Sequence, residues 1–205
     1  MPRTLVFEGR DDSELVKHVC RANGVEIPAD VQFDLVGGVE QILSGLPIRL
    51  KARPGDIVGV VLDADSQPKT RWNTVRGSLE KAGFTGVPAT LPADGLVLGG
   101  ASSPTFGLWM MPDNSSPGFL ENFAATLIPN GDLLWDAAIE ATAQAEKVDR
   151  KFKPVARPKA HLRTWLAWQA TPGTPPGAAV RNGYLDGTAA GAQPIARWIS
   201  ALFEL

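Results

Sequence analysis

An unbroken apolar run from Ile57 to Leu62 constrains the fold of this chain more than any other feature. The run is rich in β-branched residues, which is typical of a parallel strand buried on both faces by helices. It ends directly in Asp63-Ala64-Asp65, so two acids follow the strand without a spacer. The run therefore predicts a helix-covered sheet with carboxylates at the end of a central strand.

Alternation of strand and helix patterns surrounds this run. Strands are predicted at 4–7, 31–35, 57–62, 96–98 and 106–111. One helix is predicted to begin near Asp11–Ser13, which offer N-cap side chains, and to end at Asn23-Gly24. Further helices are predicted around 39–46 and over 70–82, 118–127, 132–145, 159–169 and 189–203, with a turn or loop at 172–176.

Strand and helix alternate three times from the N-terminus, as in a mainly parallel sheet with helices on both faces. The 205 residues and 44% hydrophobic content fit one globular domain. We expect an α/β core over 1–128 and a helical C-terminal part over 129–205, packed on the same domain.

Several protein classes are disfavoured by composition. No apolar run approaches the roughly 18 residues that span a bilayer, and an acid at Glu8 comes too early for a secretory signal. The single cysteine, Cys20, forms neither an internal disulfide nor a zinc ribbon. We therefore expect a cytoplasmic protein without a membrane partner.

Positive charge is concentrated late in the chain. Between Lys147 and Arg163 there are seven basic residues against one acid, so this segment carries +6 and the rest −8 of the net charge of −2. One interpretation is a solvated connector. The other is a nucleic-acid-binding strip that contacts phosphates, made of Lys151, Lys153, Arg157, Lys159 and Arg163.

Acidic residues are predicted to meet at one rim of the sheet. Glu8 follows the first strand, and Asp63 and Asp65 follow the third, where their side chains are expected to lean the same way. Asp12 lies one helical turn beyond Glu8 and either reaches the same space or acts as a helix cap. Carboxylates in such proximity repel one another unless a cation is bound, and Mg²⁺, or Mn²⁺ in its place, suits this ligand set.

Two motifs in this order resemble the TOPRIM family. The first, Phe7-Glu8-Gly9-Arg10-Asp11-Asp12, is similar to the V-E-G-x-x-D opening of TOPRIM domains, and Val60-Val61-Leu62-Asp63-Ala64-Asp65 is similar to their strand ending in D-x-D. Residues 107–114 and 164–169 extend a resemblance to bacterial TOPRIM-like proteins of the DUF3226 group. The likeness covers nearly the whole chain and implies a TOPRIM-like three-layer α/β/α fold.

This resemblance also implies roles for individual residues. Glu8 corresponds to a general acid or base, or a metal ligand, and Asp63 and Asp65 correspond to the Mg²⁺ ligands. Residues 117–123 are similar to the E-x-E-N-[YF] element of OLD-family nucleases, which suggests Glu121 as a further acid, although Phe119 replaces the first glutamate. Lys159 corresponds to a late catalytic lysine; the alternative is an ordinary surface lysine.

The function expected from these features is Mg²⁺-dependent cleavage of phosphodiester bonds in DNA or RNA. A non-catalytic TOPRIM-like module that binds nucleic acid or a partner is the alternative. A separately encoded ATPase is a further expected partner, by analogy with OLD-family nucleases. A small-molecule phosphotransferase is disfavoured, because no glycine-rich nucleotide motif follows the first strand.

Four other residues carry weaker signals. Asp113 suits either a metal site or an Asx turn. His18 and His161 have no companion at metal-binding spacing, and Tyr184 is expected to pack rather than to react.

Overall fold

In the computed structural model, which describes residues 1–100 and 103–205, five strands form one sheet in the order β2-β1-β3-β5-β4. Neighbouring strands are parallel except β4, which pairs antiparallel with β5. The strands are β1 (Arg3–Phe7), β2 (Val31–Leu35), β3 (Ile57–Asp63), β4 (Leu96–Gly100) and β5 (Ser103–Met111).

Helices cover both faces of this sheet. They are α1 (Arg10–Ala22), α2 (Val39–Arg49), α3 (Pro68–Lys81), α4 (Leu120–Ala125), α5 (Leu133–Asp149), α6 (Arg157–Ala167), α7 (Pro176–Ala179) and α8 (Gln193–Phe203), with a 3₁₀ turn at Pro154–Ala156. None of the helices in the described part of the chain is long and apolar enough to cross a membrane.

Alternate residues of the central strands enter two separate hydrophobic cores. Leu5, Val61 and Trp109 face the core that also contains residues of α1, α6 and α8. Val60 and Leu108 face the opposite core, formed with α2 and α3. The period of two along each strand therefore builds three layers, and the predicted α/β class with a mainly parallel sheet is confirmed.

The last helix approaches the sheet through two glycines. A Cβ atom at Gly59 would lie 2.6 Å from Cδ2 of Leu202, and one at Gly107 would lie 2.7 Å from Cδ1 of the same leucine. The indole Nε1 of Trp198 donates a hydrogen bond to the Leu96 carbonyl over 2.9 Å. The two glycines thus leave room on this face of the sheet for Leu202, and Gly107 also for Trp198.

The helical C-terminal region packs on the α1 face of the sheet. Ala138 of α5, Trp165 of α6 and Ile195 of α8 are in the same core as Leu5. Helix α7 approaches α1 closely, because a Cβ at Gly177 would lie 2.9 Å from Cβ of Glu14 and 3.0 Å from the Asp11 carbonyl oxygen.

Several boundaries differ from the predicted ones. Helix α1 begins at Arg10 with Gly9 as its N-cap, so Asp11 and Asp12 lie in its first turn and do not cap it. Helix α4 is shorter than predicted, because the chain before Leu120 is held in an extended form by backbone hydrogen bonds between Gly118 and Asp65. The segment predicted as a loop at 172–176 ends where α7 begins, at Pro176.

Candidate active site at the strand ends

The sheet topology creates a crevice between β1 and β3. Strand β2 lies on one side of β1 and strand β3 on the other. The connection from β1 to β2 and the connection from β2 to β3 therefore run in opposite directions along the sheet. Open sheets bind ligands at such a point, beyond the carboxyl ends of the strands. Phe7 is in register with Leu35, and Val6 with Val60, which brings the residues after β1, β2 and β3 to one rim.

One cavity of about 560 Å³ at this rim is lined by Asp11 and by four carboxylates predicted from the sequence: Glu8, Asp12, Asp63 and Glu121. They come from the end of β1, the first turn of α1, the end of β3 and the first turn of α4. Lys159 and Arg163 of α6 line the same cavity. The structure therefore brings together most of the predicted site residues, from distant parts of the chain.

Glu8 and Asp63 are joined directly. The backbone N–H of Asp63 donates to Oε1 of Glu8 over 2.8 Å, and the N–H of Gly37 donates to the Glu8 carbonyl oxygen over 2.9 Å. The side chain of Glu8 is thereby fixed over the end of β3. Its second oxygen, Oε2, is not used by that bond.

Asp63 in turn holds the start of α4. Its Oδ1 accepts the N–H of Leu120 over 2.9 Å, at a helix end where backbone N–H groups lack helical partners. Asp65 and Gly118 exchange two backbone hydrogen bonds, of 3.0 and 2.8 Å. These bonds fix Glu121, the next residue of α4, beside the end of β3.

Burial and mutual repulsion raise the pKa of three of these acids, Asp63, Asp12 and Glu8. Burial raises the pKa of Asp63 to about 8, and the charges of Glu8, Asp12 and Glu121 act in the same direction. Burial also raises the pKa of Asp12 to about 7, again assisted by Glu8 and Glu121. The pKa of Glu8 is raised by burial too, although the hydrogen bond from Asp63 opposes the shift.

Glu121 carries a buried oxygen without a hydrogen-bond partner. The residue is only 7% exposed, and its Oε2 accepts no hydrogen bond from any described residue. The nearest cation is Nζ of Lys159, at 3.9 Å, which also lies 5.2 Å from the centre of the Phe119 ring. A buried, unsatisfied carboxylate oxygen is costly, so a ligand that supplies positive charge here would relieve the cost.

Asp65 lies apart from the four carboxylates. It has a positive φ of 54°, and its side chain forms an ion pair with Arg71 next to a second cavity. Its charge still raises the pKa of Glu8, so the two groups are close enough to interact. The structure thus directs Asp63 and Asp65 to different surroundings, contrary to the expectation that they lean the same way.

The predicted basic strip is divided by the fold. Lys159 and Arg163 line the acidic cavity, where Arg163 also pairs with Asp11 over 3.0 Å. Arg157 instead forms a two-bond pair with Glu146, and Lys151 pairs with Asp149. Lys153 is exposed and does not line the acidic cavity.

The weaker candidates have structural roles. Oδ1 of Asp113 accepts the N–H groups of Ser115 and Ser116, which is an Asx turn outside the cavity. His18 is buried in α1 beside Glu14, and His161 stacks edge-on against Trp135. The hydroxyl of Tyr184 accepts the N–H of Thr171.

The donor set of the cavity fits a hard divalent cation. Such ions prefer several carboxylate oxygens, and the unsatisfied Oε2 of Glu121 is available among them. Within residues 1–100 and 103–205, no three His, Cys, Asp or Glu side chains already stand in a metal-binding arrangement. Metal binding would therefore require side-chain movement from the positions seen here.

Seven residues that line the cavity were not among the predicted site residues: Gly9, Arg10, Asp11, Gly37, Gly38, Leu120 and Pro175. Gly37 and Gly38 follow β2 at the same rim, so their position after a strand was a usable signal. Arg10 lies within the E-G-x-x-D motif, where an exposed cation beside the acids could have been noticed.

One comparison with known proteins identifies a family. The model of the family described as "Protein of unknown function (DUF3226)" matches residues 2–204. No curated protein and no solved structure matches the chain. Because the match covers nearly every residue, the chain belongs to the DUF3226 family.

Proposed function

We propose that this protein is a nuclease that cleaves phosphodiester bonds of DNA or RNA with Mg²⁺, or Mn²⁺ in its place. The observation that carries the proposal is the meeting of Glu8, Asp12, Asp63 and Glu121 in one cavity beside Lys159 and Arg163. Carboxylates bind the cation, and the two basic side chains suit a phosphate. The resemblance of the motifs around Glu8 and Asp63 to TOPRIM domains, and of residues 117–123 to an element of OLD-family nucleases, points to the same function.

The division of labour follows from the surroundings of each group. Asp63, Asp12 and Glu121 are the proposed cation ligands, and the relief of their mutual repulsion would favour binding. A bound Mg²⁺ supplies Lewis-acid polarisation of a phosphoryl oxygen. Oε2 of Glu8, which the Asp63 N–H leaves open, either accepts the proton of the attacking water or joins the ligands.

Lys159 is the proposed stabiliser of the charge that develops on the phosphate. Its side chain is half exposed, with Nζ 3.9 Å from Oε2 of Glu121 and 5.2 Å from the centre of the Phe119 ring. A cation already positioned beside a developing negative charge stabilises it without the reorganisation that water molecules require. Asp65 is an outer residue in this proposal, since Arg71 neutralises it.

The test is a cleavage assay on labelled plasmid, single-stranded DNA and RNA, with Mg²⁺, Mn²⁺ or EDTA. We expect metal-dependent cleavage that Glu8→Gln and Asp63→Asn each reduce by at least ~100-fold. The matched controls, Glu26→Gln and Asp30→Asn, remove exposed charges that do not line the cavity and should cleave normally. Cleavage that persists in both site variants contradicts the proposal.

A non-catalytic binding module is the second candidate, and one observation favours it. In the described part of the chain, no three acidic side chains are arranged to bind a metal ion. The ammonium group of Lys159 lies 3.9 Å from Oε2 of Glu121 and already supplies positive charge there. On that alternative, the wild type binds nucleic acid equally with EDTA and Mg²⁺ and cleaves none of the substrates. The same assay therefore separates the two functions.

A separately encoded ATPase and a cytoplasmic location complete the proposal. The small net charge of −2 suggests that a partner contributes to substrate affinity. Co-purification with the products of neighbouring genes tests the partner, and recovery of the protein alone contradicts it. The single buried Cys20 supports a reducing compartment, which cell fractionation tests.

A further inference from the structure

We propose a second phosphate-binding site, beside the acidic cavity, that holds the backbone of one nucleic-acid strand through Arg10 and Arg181. This inference rests on the proposed function in its substrate class, although it does not require cleavage. The side cavity measures about 370 Å³ and lies between the first turns of α1 and the segment around α7. Neither arginine was predicted as a site residue.

The two cavities adjoin each other. Arg10, Asp11 and Pro175 line both of them. A nucleic-acid strand that leaves the acidic cavity past Arg10 therefore enters the side cavity directly. The wall between α1 and α7 is closely packed at Gly177, whose N–H also points to Oδ1 of Asp11 at 3.4 Å. The side cavity is therefore a built feature of the fold.

Charge favours an anion in this place. Arg10 and Arg181 are exposed, and within residues 1–100 and 103–205 neither side chain forms an ion pair or a hydrogen bond. Of the two acids of the side cavity, Asp11 pairs with Arg163 at 3.0 Å. Glu14 keeps its negative charge, because burial lowers the pKa of its neighbour His18 and Nε2 of His18 forms no hydrogen bond with a described residue. The two arginines therefore exceed the one uncompensated acid by one charge. Two free guanidinium groups remain, and guanidinium binds phosphate with two parallel hydrogen bonds.

We expect the two adjoining cavities to hold one strand rather than a duplex. Because Arg10 lines both cavities, a strand with one phosphate near Lys159 and Arg163 has a continuous path past Arg10 towards Arg181. Contacts of this kind position a substrate without reading its sequence. We therefore expect the side cavity to hold the phosphate adjacent to the one in the acidic cavity.

The experiment measures binding of a fluorescent 12-nucleotide single strand by anisotropy, in EDTA and in Ca²⁺, over a series of salt concentrations. Each of Arg10→Ala and Arg181→Ala should weaken binding roughly three- to tenfold and lower the slope of log K against log salt by about 0.7, the value for one phosphate contact on a single strand. Arg181→Glu should weaken binding further.

The matched control is Arg53→Ala. Arg53 is also exposed and without an ion pair among the described residues, and it precedes β3 at the opposite end of the sheet. It should leave the slope unchanged. If Arg10→Ala and Arg181→Ala behave like Arg53→Ala, the side cavity is not a phosphate site, while the proposed nuclease is unaffected.

The remaining outcomes are equally decisive. Flattened slopes without any metal-dependent cleavage support the side cavity and contradict the nuclease. A wild type that binds no single strand in either EDTA or Ca²⁺ contradicts the side-cavity proposal, and cleavage of duplex plasmid in the earlier assay then decides the nuclease separately. Circular dichroism melting of each variant verifies that the fold is retained.

Discussion

Asp63 occupies an unusual position for an acid, since it is 9% exposed and surrounded by three other carboxylates. Its hydrogen bond to Leu120 shows that the oxygen also has a structural task. An asparagine would keep a carbonyl oxygen for that bond while removing the charge. Asp63→Asn therefore measures how much the buried negative charge of Asp63 destabilises the folded protein.

We predict that the free energy of unfolding falls as pH rises from about 4 towards 8 in metal-free buffer. The pKa of Asp63 is raised from 3.8 to about 8, so the folded protein holds a proton that the unfolded chain releases near pH 4. Stability from this proton is complete at low pH and lost as pH passes the folded pKa. Asp12, with its pKa near 7, adds to the same trend.

Asp63→Asn should flatten this trend and make the variant more stable than the wild type at pH 8, by roughly 1–3 kcal/mol. Urea unfolding at pH 5, 7 and 8.5 with EDTA measures both proteins. Asp30→Asn, an exposed acid, is the control and should follow the wild type. A wild-type stability that rises between pH 5 and 8 would show that these acids are not buried together.

Lys159 offers a second prediction at this scale. Lys159→Met keeps the length of the side chain over Phe119 and removes the charge beside Glu121, so we expect cleavage to slow by about 10²-fold. Lys153→Met, in the same basic segment but outside the cavity, should cleave at the wild-type rate. Equal losses in the two variants would indicate a general effect of positive charge on binding.

At the scale of elements, the strands that form the site were predictable because their signals are local. The run before Asp63 identifies β3, and Glu8-Gly9 after a short apolar run identifies the end of β1. The direction of Asp65 was not predictable, because it depends on a positive φ and on backbone bonds to Gly118, far away in sequence. The antiparallel pairing of β4 had an unused signal, since parallel neighbours need a longer crossover.

The side cavity shows the same limit. Arg10 and Arg181 come together only because α7 packs on α1 through Gly177, a long-range contact without a local pattern. The acids of the site and the two cations of α6, Lys159 and Arg163, were predicted from the sequence, whereas Arg10 and Arg181, which follows α7, were not.

The contact between α8 and the sheet leads to a prediction about stability. Gly107→Ala would place a methyl group 2.7 Å from Leu202 and 3.1 Å from Trp198, so we expect a loss of about 1–3 kcal/mol. Gly77→Ala is the control: it lies in α3 with no atom within 4 Å of its Cβ position, and should stabilise the protein by about 0.5–1 kcal/mol. Urea unfolding of both variants measures the difference. A free energy of unfolding that Gly107→Ala leaves unchanged would mean that α8 can move away from the sheet without loss of stability.

The whole molecule responds to a cation only if the fold is intact, because the four carboxylates belong to β1, α1, β3 and α4. A ligand that binds the folded state alone stabilises it by RT ln(1 + [L]/Kd), or about 2.7 kcal/mol at a hundredfold excess over Kd. We therefore predict that saturating Mg²⁺ at pH 8 raises the melting temperature by about 5–10 °C. The rise should shrink at pH 5.5, where protons occupy Asp63 and Asp12.

Sodium chloride at equal ionic strength is the control for this melting experiment and should give a small change at both pH values. Equal shifts with Na⁺ and Mg²⁺ would mean that screening alone is at work. Glu121→Gln should reduce the Mg²⁺ effect, since it neutralises the buried oxygen that lacks a hydrogen bond.

The hydrogen bond from the Leu120 amide to Asp63 connects ionisation of the cavity to the position of a helix. A charged acceptor holds that amide more firmly than a neutral one, so loss of a proton from Asp63 should tighten the attachment of α4 while it weakens the fold as a whole. Deuterium uptake at this single amide would then slow as pH rises, after correction for intrinsic exchange. The exchange rate of the Leu120 amide would thus report the ionisation state of the buried Asp63 side chain.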